Sequence, residues 1–295
     1  MNIKYIIWDL CSRYLPMKIY LSLMFRFRQK RPMNWKNPKG LNDKIQNWKL
    51  ESDTEVLNTL SDKFLVREYI KDKIGSEYII PLIAYSKYPK VEDFDQLPNR
   101  FVMKSNHGSF QVKIVREKSK ENIEQLVELA KEWLKVDHSM LTKEMQYRNI
   151  DRKILFEELL EDEKGDVPFD YKFHCFNGKA EFVQVDLDRF KGHKRNFYDR
   201  NWEPCDFTWS PWKGDRNLYP STDHVQAPKS LKLMLEIADK LSSDFSYVRI
   251  DLYECMNKVY FGEVTLHHES GWARFDPGHY DNEFGQKVGD RQWLQ

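Results

Sequence analysis

Apolar positions recur along the chain in two periods, and the change from one to the other marks its elements. From Asp53 to Ile74, Val56, Leu57, Leu60, Phe64 and Ile70 keep helical spacing, which predicts one helix there. Ser119–Val136 and Ala227–Leu241 repeat that spacing and read as two further helices. Elsewhere the period is two. Ile79–Tyr85 reads as a strand, and "RFVMK" (100–104) as another, with Gln111–Val115 as its hairpin partner across the turn residues Asn-His-Gly-Ser. "KILFEELL" (153–160) opens as a strand. "YKFHCFNGKAEFVQVDLDRF" folds back on itself at Asn177-Gly178, a strong two-residue turn signal. Residues 191–222, with Trp202, Trp209 and Trp212 among Pro, Gly and Asp, read as a long ordered loop or lid, its tryptophans either packing on the core or stacking on sugar rings. "SYVRIDLYE" and "KVYFGEVTL" read as a last pair of strands. Hairpins in place of regular strand–helix–strand units predict an α+β fold.

A chain of 295 residues with 41% hydrophobic and 32% charged residues is long enough for a large core and ordinary for a globular protein. Four scattered cysteines without a CxxC pair predict buried thiols in a reducing cytoplasm, with neither zinc nor a disulfide framework. Charge changes the picture more. Residues 1–50 are mostly helical in pattern and hold eleven Lys/Arg against two Asp, a net +9 within a chain of net +1. Their apolar runs are too short to span a bilayer, and no small-residue cleavage site follows them. Three readings stay open for this segment: an anionic membrane surface, an anionic substrate, or a solvated basic helical face.

Period two also gathers candidate chemistry. In "YVRIDLY" Arg249 and Asp251 share one strand face, and in "YFGEVTL" Glu263 and Thr265 share another. Paired, these strands bring two carboxylates and a hydroxyl together, hard-oxygen donors of the kind Mg²⁺ takes with nucleotide phosphates; the other reading is an Arg249–Asp251 pair on a solvated sheet. Lys104 ends an apolar strand before a glycine turn, where it can hold a phosphate while the backbone N–H groups of Asn106, His107, Gly108 and Ser109 cover the charge. After the strand at 153–157, Glu157, Glu158, Leu159 and Leu160 form a hinge whose backbone and carboxylates suit an adenine edge and whose leucines suit its ring. Lys172, Arg189, His193, Lys194 and Arg195 follow and read as carboxylate contacts or as a solvated basic face. "HHE" (267–269) lacks a metal spacing and reads as hydrogen-bonded or acceptor-side.

Taken in order, "NPKGLNDKIQNWKL", "SDKFLVREYI", "FVMKSNHGS", "FEELLED", "DYKFHCFNGK", "RIDLY" and "FGEVT" resemble the ATP-grasp superfamily, in its TupA-like branch found with polysaccharide and teichuronopeptide biosynthesis. The resemblance implies two α+β subdomains gripping ATP behind a basic helical N-terminal segment. It divides the chain at 1–95 (helical, substrate side), 96–160 (small lid subdomain) and 161–295 (C-terminal subdomain with the metal site). It makes Arg67 and Lys104 the phosphate cations, the turn at Ser109 the loop over the phosphates, and Glu157–Leu160 the adenine hinge. Asp251 and Glu263 become Mg²⁺ ligands, with Thr265 standing where the superfamily usually has Asn. Arg249 becomes the cation that meets the oxyanion; apart from the resemblance, Lys172 of the basic set after the hinge is a further catalytic candidate. The implied activity is an ADP-forming carboxylate–amine ligase using ATP and Mg²⁺. Its implied substrates are a nucleotide- or lipid-linked acidic sugar of a surface polysaccharide precursor and an amino acid or amine, in the cytoplasm or at the membrane periphery, with no nucleic-acid partner. A sugar kinase on the same scaffold and a non-catalytic nucleotide-binding protein of glycan assembly are the alternatives.

Overall fold

Two antiparallel sheets organise the chain, and the candidate residues lie where they face each other. The computed structural model describes residues 3–187, 193–220 and 223–293. The smaller sheet has four strands, β1 (Leu82–Ser86), β2 (Phe101–Ser105), β3 (Val112–Val115) and β4 (Ile154–Glu157), in the order β1-β4-β2-β3. β1, from the region read as N-terminal, thus pairs with β4. The larger sheet has five, β5 (Asp170–Phe176), β6 (Lys179–Leu187), β7 (Lys194–Asp199), β11 (Tyr247–Cys255) and β12 (Lys258–Thr265), in the order β12-β11-β5-β6-β7. There are also two short ribbons: β8 (Thr208–Ser210) pairs with β13 (Arg274–Asp276), and β9 (Trp212–Lys213) with β10 (Arg216–Asn217). The helices are α1 (Ile3–Tyr14), α2 (Met17–Gln29), α3 (Leu41–Lys49), α4 (Glu55–Ser61), α5 (Val66–Ile74), α6 (Ile123–Lys135), α7 (His138–Thr142), α8 (Leu231–Ser242) and α9 (Tyr280–Lys287). Helices against antiparallel sheets make the α+β class that the hairpins predict.

The alternation of apolar residues sets each layer. In the small sheet Phe101, Met103, Ile154 and Phe156 turn to one side and pack with Leu126, Val127 and Ala130 of α6. That leaves Val102, Lys104, Leu155 and Glu157 on the other side. In the large sheet Phe173, Val183, Val185, Val248, Ile250 and Leu252 face Met234, Ile237, Ala238 and Leu241 of α8. The opposite face is divided. One end is aromatic, with Phe176, Phe182, Phe197 and Tyr247 against Trp209, Phe275 and Phe284. The other end is charged and forms the candidate site.

The β5–β6 hairpin turns at Asn177 and Gly178 with φ of +48° and +76°, the left-handed pair that a two-residue turn requires. Three expectations need correction. Asp53–Ile74 is not one helix: the Asp62 carboxylate accepts from the Phe64 amide (2.8 Å) and from Asn106 Nδ2 (2.8 Å), so the chain breaks between α4 and α5. Residues 191–222 are not all loop, because they include the edge strand β7; its inward-facing Arg195 hid the apolar alternation. Of the two readings of that stretch's tryptophans, packing on the core is the one the structure bears out. Trp209 is fully buried against Phe275 (4.6 Å between centroids), Trp202 stacks on Tyr198 (4.6 Å), and Arg274 covers Trp212 at 4.2 Å. Cys175 and Cys255 are buried, whereas Cys11 and Cys205 are only half-buried. No helix of the described residues is long and apolar enough to cross a membrane.

Candidate active site

On the helix-free face of the small sheet, Lys104 and Glu157 meet because β2 and β4 pair with Lys104 opposite Leu155 and Val102 opposite Glu157. Lys104 Nζ lies 2.6 Å from Glu157 Oε2, and Arg67 Nη1, from the first turn of α5, lies 3.2 Å from Oε1. Arg67 also donates to the Ile80 carbonyl at 2.7 Å. Burial lowers the Arg67 pKa against the pull of Glu157. Two cations on one buried carboxylate leave a local surplus of one positive charge, an anion's place. Glu157, read from the sequence as an adenine contact, stands here as the counter-ion of Arg67 and Lys104. Glu158, next along, is exposed and commits its amide to the Pro81 carbonyl at 3.1 Å, with Leu159 and Leu160 half-buried behind it.

The glycine turn after β2 is also only partly available. The Asn106 amide donates to the Lys153 carbonyl (3.0 Å), and its side chain bonds Asp62, the Asp151 carbonyl and the Lys153 amide. His107 is buried beneath the turn, its pKa pushed down to about 4 by burial, with Arg152 and His138 adding to the effect. The Asn106 amide is therefore committed to Lys153, and the His107 ring supports the turn from below. Gly108 is required by close approach, since a Cβ there would sit 1.9 Å from His138 Nε2. The outward part is Ser109 with Phe110, a non-glycine residue at φ +63° whose ring is fully exposed.

The charged end of the large sheet is an interleaved set of opposite charges. Cross-strand register lines up Glu263, Asp251, Lys172 and Gln184, with Thr265, Arg249 and His174 in the row beside them. Arg249 grips both oxygens of Asp251 at 2.7 Å, donates to His268 Nδ1 at 3.0 Å, and lies 3.8 Å from Glu263. Lys172 Nζ sits against Asp170 and within 3.5 Å of Asp251 and 3.6 Å of Asp186. Arg195 joins Asp186 (2.9 Å) to Glu269 (2.9 Å). His193 Nε2 is 3.3 Å from Asp186, and its ring lies 4.0 Å from that of Tyr219. Lys63, from the break between α4 and α5, reaches across the gap: its Nζ is 2.9 Å from Glu263 Oε1 and 2.8 Å from the Gly108 carbonyl.

The titration behaviour follows this arrangement. Burial raises Glu263, but Lys63 and Arg249 outweigh it and draw the group down to about 2. Burial likewise opposes Asp186, yet Arg195, His193 and Lys172 hold it well below the usual range. At Asp251 burial wins over Arg249 and Lys172, and the pKa rises. Burial and the neighbouring cations keep His268 and His174 neutral, so His268 accepts from Arg249. Behind them His267 lies 3.6 Å from Glu144, which Lys49 and Ser270 also face; these partners overcome burial and hold Glu144 at about 2.

Of the predicted residues, Arg249, Asp251, Glu263, Thr265, Lys172 and His193 are brought together, and Arg67 and Lys104 form the second cluster. Lys194 alternates away from the site and pairs with Asp223 at 2.5 Å; Arg189 lies outside the described residues. Reading the sequence missed Lys63, Asp170, Asp186 and the particular partners of "HHE". The period-two argument that found Arg249 and Asp251 also applies to Asp170/Lys172 and Gln184/Asp186, whereas Lys63 has no such signal.

The donor set suits Mg²⁺. Asp251 and Glu263 are a directly opposed cross-strand pair of hard oxygens, and Thr265 Oγ1 lies 3.4 Å from Glu263 Oε2. Among the described residues no group of three or more His, Cys, Asp or Glu is placed to hold a metal ion. Mg²⁺ with nucleotides needs none, since one or two carboxylates, phosphates and water complete its shell.

A two-sheet fold with Lys104 on one sheet, Arg67 of α5 beside it, and paired carboxylates on the other sheet is the arrangement that the sequence resemblance implies. The sequence profile of the TupA-like ATP-grasp family matches residues 43–289, and the chain belongs to that family. No curated relative matches the chain. Among solved structures it is similar to D-alanine–D-alanine ligase from Bacillus anthracis, at 18% identity and a TM-score of 0.40, over 70% of this chain and 57% of that one. The same ligase from Helicobacter pylori is 17% identical with a TM-score of 0.42, over 78% and 61%. D-cycloserine synthetase DcsG is 14% identical with a TM-score of 0.44, over 80% and 71%. The chain thus spans less than two thirds of the length of either D-alanine–D-alanine ligase.

Proposed function

We propose that the protein is an ATP-dependent carboxylate–amine ligase that forms an amide between an acidic sugar of a surface-polysaccharide precursor and an amino acid or amine. One observation carries the reading: Arg249 is a fixed, buried guanidinium on the same face as the Asp251–Glu263 pair. A donor so placed meets charge on a reacting carbonyl next to a nucleotide's phosphates. Family membership supports the use of ATP, and the acidic-sugar substrate rests on the resemblance to the polysaccharide-associated branch.

In this reading Arg67 and Lys104 bind the phosphates, exchanging part of their hold on Glu157, and the Gly108–Phe110 turn covers them. The substrate carboxylate attacks the γ-phosphorus, the bond to the bridging β–γ oxygen breaks, and ADP leaves from an acylphosphate. The amine then adds to the acyl carbon, Arg249 steadies the oxyanion, and phosphate departs as the nitrogen loses a proton. Asp251 and Glu263, with Thr265 oriented on Glu263, would hold Mg²⁺, which supplies charge neutralisation to the phosphates. Lys172, set against Asp170 and near Asp251 and Asp186, holds these carboxylates in place. Most of the acceleration in such a transfer comes from positioning and charge.

The test measures ADP and free phosphate together, with uronates and amino acids offered singly and in pairs. Both products rising only when a sugar acid and an amine are present supports the ligase. ADP without phosphate assigns a sugar kinase, and ATP binding without either product assigns a nucleotide-binding protein.

A further inference from the structure

The first two helices carry apolar residues on both faces. On α2 the inner face, Tyr20, Leu21, Met24 and Phe25, is buried. The outer face repeats Ile19, Leu23 and Phe27 at intervals of four, and these are 51%, 46% and 46% exposed. On α1, Ile7, Leu10 and Tyr14 form a second exposed stripe at helical spacing. The stripes adjoin where the Trp8 and Phe27 rings meet at 5.6 Å. A helix that is merely solvated keeps a polar outer face. α6 shows that pattern in this same chain, with Glu128–Lys131 and Glu132–Lys135 pairs on its exposed side. The outer face of α2 departs from it.

Its rim is basic. Arg13, Lys18, Arg26, Arg28 and Lys30 are exposed around the stripes, and Arg28 and Lys30 lie over the Phe27 ring at 5.8 and 5.3 Å. Along residues 3–40 the sole carboxylate is Asp9, and Arg13 pairs with it at 3.0 Å. An apolar stripe between cations is the pattern of a helix that lies in a headgroup layer, its apolar face sunk toward the acyl chains and its cations among anionic lipids. A symmetric dimer through the same face would instead press two basic rims together.

We propose that the α1–α2 hairpin is a docking surface for an anionic membrane. It holds the charged face of the large sheet near a bilayer independently of what that face catalyses.

The test is co-sedimentation of the full chain with vesicles of phosphatidylcholine alone and of phosphatidylcholine mixed with phosphatidylglycerol. The protein should bind the mixed vesicles about tenfold more tightly or better, and added salt should weaken binding. Leu23→Ser/Phe27→Ser and, separately, Arg26→Glu/Lys30→Glu should each cut binding about tenfold, while Lys131→Glu/Lys135→Glu on α6 should not. All replaced side chains are exposed, and circular dichroism checks the fold. Failure of the wild type to bind the anionic vesicles, or wild-type binding retained by both hairpin variants, would overturn the proposal. Self-association seen by light scattering and lost in Leu23→Ser/Phe27→Ser, without vesicle binding, would also overturn it and assign the face to a second copy.

Discussion

Lys63 and Glu263 form a 2.9 Å ion pair between elements remote in sequence, and the same ammonium donates to Gly108 at 2.8 Å. One cation therefore joins the turn over the proposed phosphates to the carboxylate proposed for the metal. Lys63→Met should cost about 1–3 kcal/mol of stability, the range for a hydrogen-bonded charge that loses its partner. It should also let the Glu263 pKa climb from about 2, because the first cation opposing its burial is gone. Urea unfolding measures the first effect, and carboxyl titration by NMR the second; an unmoved Glu263 would refute the pairing.

Lys104→Ala should weaken ATP binding by about 1.5–3 kcal/mol, roughly tenfold to 150-fold, the loss of a hydrogen bond to a charged group. The fold should tolerate the change, since Arg67 remains on Glu157. Calorimetry on the folded variant decides, and unchanged affinity removes Lys104 from the nucleotide site.

Arg249→Met should slow amide formation on the order of 10²–10³-fold with little change in ATP affinity. Because Arg249 is also the partner of buried Asp251, removing it alone leaves an unpaired charge, a loss typically of about 3–5 kcal/mol. In Arg249→Met/Asp251→Asn, which removes the buried charge as well, stability should largely return, and activity is read on the folded single variant. Rapid quench with a sugar acid, with and without an amine, reads the activity.

Acid should destabilise the protein before the ordinary carboxylates alone would require it. Glu263 and Glu144 sit at about 2 when folded against an ordinary 4.5, so the folded state binds fewer of their protons between those values. Their stabilisation is complete above pH 4.5 and is lost as pH falls toward 2, at about 1.4 kcal/mol per pH unit for each group. Asp251, raised by burial, works in the opposite direction and offsets part of this. Unfolding free energies from pH 7 down should show the slope, and Glu263→Gln should make it shallower.

Gly108→Ala should disturb the turn by overpacking against His138, at about 1–3 kcal/mol. Thermal unfolding gives that cost. Replacing His138 with Ala in the same chain should recover most of it.

The parts of this fold legible in the sequence are those with local causes. The hairpins follow from alternating apolar residues and from Asn177-Gly178, and the Arg249–Asp251–Glu263 face follows from period two. What stayed hidden depends on partners far along the chain. Glu157 is occupied because Arg67 arrives from 90 residues away, which no spacing near Glu157 reveals. β7 escaped notice because Arg195 occupies an inward position where an apolar residue is the usual sign of a strand. Lys63 acts only because Asp62 breaks the helix and turns the chain toward β12.

The two sheets keep separate apolar cores, one against α6 and one against α8. Much of what passes between them is polar: Lys63 to Glu263 and Gly108, Asp62 to Asn106, and the backbone bridge of Ile79 with Phe261. Parting such contacts exchanges protein partners for water and uncovers little hydrocarbon. The heat capacity of the chain would then scarcely change if the two sheets moved apart, because that quantity tracks apolar exposure. Any such separation of the sheets would accordingly respond little to temperature and strongly to ionic strength, a thermal signature opposite to that of unfolding.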